Sequence, residues 1–152
     1  MTKPSFFKKQ RIRVITLGLI RHGDLLFVAE GYDSVRQSHF YRPLGGGVDF
    51  GETSSAALQR EFLEELHTEI CNLRYLGCIE NIFTYEGILG HELIQLYACD
   101  FVEPRFYDCE HMPFQEGQEE GIARWIDVKK FQSGELRLVP AECLQYLSNF
   151  RV

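Results

Sequence analysis

One stretch limits the fold more than any other: residues 45–70, GGGVDFGETSSAALQREFLEELHTEI. Leu58, Phe62 and Leu66 recur every four residues, which predicts an amphipathic helix over Thr53–Leu66 with one apolar stripe. Thr53 or Ser54 can cap it, since a hydroxyl satisfies an early amide. Glu61, Glu64 and Glu65 fall at i, i+3 and i+4, on the face beside that stripe. Like charges at this spacing destabilise a bare helix by roughly 0.2–0.5 kcal/mol per pair. Three of them together either solvate a surface or hold a cation. The stripe must pack on a second layer, so the acidic face is offered to a cleft or to solvent.

The remainder reads mostly as strands. Arg11–Ile20 alternates and is β-branched, and Leu25–Glu30 follows a turn at Arg21–Asp24, so the two make a hairpin. Gly31–Gln37 reads as a loop and His39–Arg42 as a short aromatic strand before Pro43. After the helix, strands are expected at Ile70–Tyr75, Gly77–Tyr85 and His91–Val102, with a hairpin loop at Gly87–Gly90. Glu103–Gln118 reads as irregular and acidic, Ala123–Ile126 as a short strand, Asp127–Phe131 as a turn or helical start, and Pro140–Phe150 as a final helix. Residues 1–10 read as a loose basic arm on a single domain spanning 1–152. Antiparallel strands with one inserted and one terminal helix give an α+β or layered α/β/α domain.

Composition narrows the function classes. An apolar fraction of 45% is that of a globular chain. A net charge of -6 argues against a nucleic-acid partner, which calls for a basic surface. No apolar stretch approaches the roughly 20 residues of a membrane span. Val14–Ile20 follows basic residues but stops at Arg21 with no cleavage site, so it is read as a strand and not a signal peptide. Five cysteines without a C-x-x-C pair fit reduced, mostly buried thiols in the cytoplasm.

Gly45, Gly46 and Gly47 place no Cβ in the way of a ligand, although a plain turn has the same composition. They match neither a P-loop nor a dinucleotide-binding fingerprint. Helix carboxylates plus a loop carbonyl would make an oxygen-only site suited to Mg2+ or Mn2+. Arg60 beside Glu61, with Glu52 eight residues earlier, forms a candidate network for orienting such ligands.

Taken as one spaced unit, these residues resemble the Nudix box. Gly46, five residues, Glu52, seven residues, Arg60-Glu61, Phe62, one residue, then Glu64-Glu65 follow that family's pattern across residues 46–68. The resemblance implies a Nudix-like α/β/α sandwich with a mixed β-sheet, a central box helix and a C-terminal helix. It implies hydrolysis of a nucleoside diphosphate linked to another moiety, with Mg2+ or Mn2+ as cofactor. Glu61, Glu64, Glu65 and the Gly45 carbonyl would ligate metal, Arg60 would orient a carboxylate, and Glu52 would brace the loop and helix. Gly46 and Gly47 would lie against substrate. The general base varies in the family, and Glu116 or Glu119 in a later acidic loop is the candidate here. A homodimer is common among relatives. One departure stands out: the family glycine that ends the helix is His67, which predicts a slightly altered helix exit. The segment before the glycines also differs, reading Arg42-Pro43-Leu44 where Leu-Pro is commoner.

Other residues carry two readings each. Arg42 can meet a phosphate or form a surface ion pair. Phe40, Tyr41, Phe83 and Tyr85 can stack on a base or pack in the core. Lys8, Lys9, Arg11 and Arg13 are expected to be a solvated arm, and His22 to be exposed and inert. A nucleotide-sensing module without activity and an RNA-end pyrophosphohydrolase are the rival functions. The three retained glutamates count against the first and the acidic charge against the second.

Overall fold

The computed structural model describes residues 10–147. The expected N-terminal arm lies almost wholly outside these residues, as does the end of the expected final helix. Strands β1 (Arg13–Leu19), β2 (Arg21–His22), β3 (Leu25–Asp33), β4 (Ser38–Arg42) and β5 (Leu44–Gly47) precede helix α1 (Ser54–Leu66). Then follow β6 (Ile70–Tyr85), β7 (Ile88–Phe101), a 3-10 turn (Pro104–Tyr107), β8 (His111–Glu116), β9 (Glu119–Asp127), α2 (Val128–Gln132) and α3 (Cys143–Leu147).

One sheet runs β5-β1-β7-β6; the other runs β2-β3-β9-β8, with β4 on β3. The first sheet is mixed, because β1 is parallel to β7 but antiparallel to β5. Alternation sorts the strand residues into two apolar clusters. Leu17, Leu26, Val28, Ile94 and Leu96 pack with Phe131, Leu138, Cys143 and Leu147 from the C-terminal segment. Ile20, Phe27, Cys99 and Phe101 pack with Leu58, Phe62 and Leu66 of α1. The α1 stripe thus finds its second layer in an α+β domain of mixed sheets with few helices. Gly18 permits the close approach: a Cβ there would lie 3.0 Å from Cys99 Sγ and 3.4 Å from Leu58 and Phe62.

Both ends of α1 follow from local chemistry. Thr53 Oγ1 accepts the Ala56 amide at 3.2 Å, which settles the cap on Thr53. His67 closes the helix in the left-handed region, φ 53° and ψ 39°, and its amide donates to the Leu63 carbonyl. A histidine therefore adopts the conformation usually left to glycine at this position.

Several expected boundaries are corrected. The glycines are not a loop; they form β5, with Gly45, Gly46 and Gly47 opposite Leu17, Thr16 and Ile15 of β1. Strand β3 runs on to Asp33 through the expected loop. Strand β6 is continuous, with a register shift between Tyr75 and Gly77 where two strands were expected. Its hairpin turns at Glu86–Gly87, before the glycine pair read as the loop. The segment read as irregular contains β8, which pairs with β9 despite Pro113. Within the described residues the last helix begins at Cys143. Two cysteines, Cys99 and Cys143, are buried, while Cys78 is exposed and Cys71 and Cys109 are half-buried. Among the described residues no helix is long and apolar enough to cross a membrane.

Candidate active site

Arg60 is the hub of the site. Its Nη2 donates to Glu52 Oε1 at 2.6 Å and its Nε to Glu52 Oε2 at 3.2 Å. Nη2 also donates to the Gly47 carbonyl at 2.9 Å. Nη1 donates to Glu61 Oε1 at 3.0 Å and to both Glu64 oxygens at 3.3 Å. One guanidinium therefore ties the end of β5 and the loop before α1 to two of the helix glutamates. Glu52 in turn accepts the Asp49 amide at 2.8 Å. These bonds hold the Glu52 carboxyl below the usual range, the Arg60 contact first, and raise Arg60.

Glu65 turns the other way and is buried. Burial pushes its carboxyl up to about 9, helped by the nearby charges of Glu61 and Glu116. Glu61 lies under β5: a Cβ at Gly46 would come within 2.4 Å of its carboxyl carbon. At Gly45 the constraint is backbone, since a Cβ would sit 1.9 Å from the Thr16 carbonyl oxygen. Gly45, Gly46, Gly47, Glu61, Glu64, Glu65, Gln115, Glu116 and Arg13 all line one polar cleft of about 360 Å³.

Among the described residues no three acid, histidine or cysteine side chains are already gathered as metal ligands. Glu61 and Glu64 are instead bound to Arg60. The donor set nevertheless fits a hard cation. It is all oxygen, it carries a carboxyl whose pKa is raised first by burial and then by neighbouring acids, and it opens beside a glycine strand.

The remaining predicted residues fall as follows. Arg42 Nη2 lies 3.6 Å from Glu116 Oε1, an ion pair beside the second cavity that Arg42 also lines. Glu119 pairs with Glu116 in the β8–β9 register but does not line the cleft. Tyr41 is core. Phe40, Phe83 and Tyr85 line a second cavity, of about 490 Å³, which shares Glu116 in its lining with the first. His22 is exposed, with its ring 5.2 Å from that of Tyr107.

Sequence reasoning missed Arg13. Read as part of a solvated arm, it opens β1, lines the carboxylate cleft and reaches buried Glu92 at 3.9 Å. The parallel register of Arg13 with Glu92 joins them. No local signal announces a contact across 79 residues.

A mixed-sheet fold with an arginine gathering helix carboxylates against a glycine strand belongs with the pyrophosphohydrolases. A family model described as the NUDIX domain matches residues 9–147, and the chain is a member of the Nudix hydrolase family. Comparison with curated protein sequences finds no match. Among solved structures the chain is similar to a NUDIX hydrolase from Nitrosomonas europaea, with a TM-score of 0.64 and 17% identity over 93% of this chain and 92% of that one. It is also similar to a MutT NUDIX hydrolase from Burkholderia pseudomallei, with a TM-score of 0.59 and 18% identity over 79% and 86%. A MutT protein from Bacillus halodurans gives a TM-score of 0.60 and 16% identity over 90% and 80%. At these identities the structures speak for the fold.

Proposed function

We propose that this enzyme uses Mg2+ or Mn2+ to hydrolyse the diphosphate linkage of a nucleoside diphosphate joined to another moiety. The observation that carries this reading is the Arg60 hub, which holds Glu52, Glu61, Glu64 and the Gly47 carbonyl together beside buried Glu65. Glu61, Glu64, Glu65 and the Gly45 carbonyl would hold the ion. When bound, it would neutralise diphosphate oxygens and lower the pKa of an attacking water.

The chain's own residues do the rest. Arg60 fixes the direction of the Glu61 and Glu64 carboxylates, and Glu52 fixes Arg60. Gly46 and Gly47 leave the cleft wall bare, so phosphate oxygens can approach the backbone. Glu116, on β8, lines the same cleft and would take a proton from water there. The five free thiols support a reducing, cytoplasmic setting. A small nucleotide derivative is the substrate class, and a homodimer completes the reading.

The test is a turnover panel with magnesium: ADP-ribose, NADH, nucleotide sugars, dinucleoside polyphosphates, and normal and oxidised nucleoside triphosphates. Products are separated by chromatography, with Glu64→Gln as control. Turnover of one class that the substitution abolishes supports the proposal. No turnover, with nucleotide binding unchanged by Glu64→Gln, would identify a nucleotide sensor instead.

A further inference from the structure

The second cavity holds an arginine that forms no ion pair among the described residues. Arg137 lies on the segment between α2 and α3, where its carbonyl accepts the Tyr41 amide and so ties it alongside β4. Its guanidinium sits 5.8 Å from the centre of the Phe40 ring and faces the cavity that Phe40, Phe83 and Tyr85 help to wall. Its Nε is buried and has no hydrogen-bond partner. Among the described residues no carboxylate comes within ion-pair distance of it.

Three of the four acids that line the cavity are paired elsewhere, and the fourth, Glu142, makes no ion pair with Arg137. Glu30 pairs with Arg124 at 3.1 Å, Glu92 with Arg13 and Glu116 with Arg42. Among charges, Arg36, which lines the same cavity, acts on Arg137 more than the Asp33 carboxylate, which acts the other way. Burial and Arg36 together lower the Arg137 pKa. A partly buried guanidinium is costly unless it is paired and hydrogen-bonded. Here the protein supplies neither, and the open side of the group is a cavity.

We infer that this cavity receives the moiety beyond the diphosphate, and that Arg137, aided by Arg36, binds an anionic group on it, a phosphate or a carboxylate. The inference rests on the proposed hydrolysis, because the cavity and the carboxylate cleft share Glu116 in their linings and so lie side by side. A substrate whose diphosphate lies against α1 can extend past Glu116 toward Arg137. Guanidinium bonds to such anions are charge-assisted and planar. The aromatic walls then hold the apolar body of the same moiety. Arg137 is thus assigned as a specificity-determining residue.

Matched pairs of diphosphates that differ by one anionic group test this. ADP-ribose 1″-phosphate against ADP-ribose varies a phosphate on the sugar beyond the diphosphate; UDP-glucuronate against UDP-glucose varies a carboxylate there. Turnover and calorimetric binding are measured for each pair with the wild type and with Arg137→Gln, after thermal melting shows that the variant folds. The expected result is a preference of about tenfold or more for the anionic member of at least one pair, expressed mainly in KM or Kd. Arg137→Gln should reduce that ratio to near one. The pair that responds tells phosphate from carboxylate. Equal binding within every pair, or a preference that survives in Arg137→Gln, overturns the inference. Turnover without preference defeats only this inference, whereas preferential binding without turnover of any member defeats only the proposed hydrolysis.

Discussion

Arg60 and Glu52 meet as two forks: Nη2 to Oε1 at 2.6 Å and Nε to Oε2 at 3.2 Å, eight residues apart in the chain. Two parallel charge-assisted bonds fix a plane as well as a distance. The Arg60 fork is therefore aimed before it reaches Glu61 and Glu64. Lysine keeps the charge but cannot reproduce the fork. We expect Arg60→Lys and Glu52→Gln each to lower kcat/KM by about 10- to 100-fold, the range seen when groups that orient metal ligands are lost. Steady-state assays with a saturating metal series check this. Full recovery at high magnesium would show that affinity, and not geometry, had changed.

Adjacent glycines should fail differently. A Cβ at Gly46 meets the movable end of Glu61, while one at Gly45 meets the Thr16 backbone at 1.9 Å. Gly45→Ala must therefore part β1 from β5, which should cost roughly 1–3 kcal/mol, as overpacking does. Gly46→Ala should keep most of its stability and lose activity by displacing a carboxylate. Denaturant melts and rate measurements on both variants separate the two outcomes.

His67 carries strain that glycine would not. Its left-handed conformation at φ 53° costs an ordinary side chain about 1–2 kcal/mol. Glycine gives back part of that gain through its looser unfolded chain. His67→Gly should stabilise by about 0.5–1 kcal/mol, and His67→Val should destabilise, with kcat unchanged in both. Thermal melts give the sign directly.

Asp33 is one of the carboxyls that contribute to the acid-side pH dependence, with Glu52 and Glu103. Its Oδ1 accepts the amides of Val35 and Arg36, each at 3.0 Å, in the turn after β3. The Arg36 amide is the main cause that lowers its pKa below the ordinary 3.8. The unfolded chain then binds the Asp33 proton more readily, so folding gains stability as pH rises through this window. The contribution is present above 3.8 and is lost as pH falls through the folded value. Asp33→Asn should be less stable than wild type at neutral pH, and the gap should narrow below 3.8. Urea melts from neutral to acidic pH test this; a constant gap would remove Asp33 from the account.

What could be read in the sequence follows from the range of each cause. The α1 helix, its Thr53 cap and the Arg60–Glu52 spacing rest on contacts within about two turns or one short loop, so periodicity and motif reveal them. The glycines of β5 hid a strand because strand signals lie in side chains, which they lack. Pro113 and flanking acids concealed β8 in the same way. Arg13 with Glu92, and Arg137 over Phe40, are joined only by the fold, across strand register and a returning C-terminal segment. The spaced unit of the candidate site was legible together with Glu116 on β8, whereas Arg13 and Arg137, brought in by distant strand register and the returning segment, were not.

Glu116 and Glu119 face each other across the β8–β9 turn, yet only Glu116 lines the carboxylate cleft. A base must come within hydrogen-bond reach of the water it activates, directly or through one more water. Glu116 lines the cleft in which the proposed reaction would occur, and its partner Arg42 lies 3.6 Å away. Its side chain is 63% exposed, so that ion pair contributes only about 0–1 kcal/mol to stability. Glu116→Gln should therefore leave melting almost unchanged while lowering kcat by about 10²-fold or more, the usual scale for a lost general base. Glu119→Gln should change kcat by less than about threefold, because a solvated carboxylate away from the cleft has no proton to take. Paired kcat measurements at saturating substrate decide between them. A large loss at Glu119 with none at Glu116 would mean that the hairpin tip, and not the cleft wall, meets the reacting water.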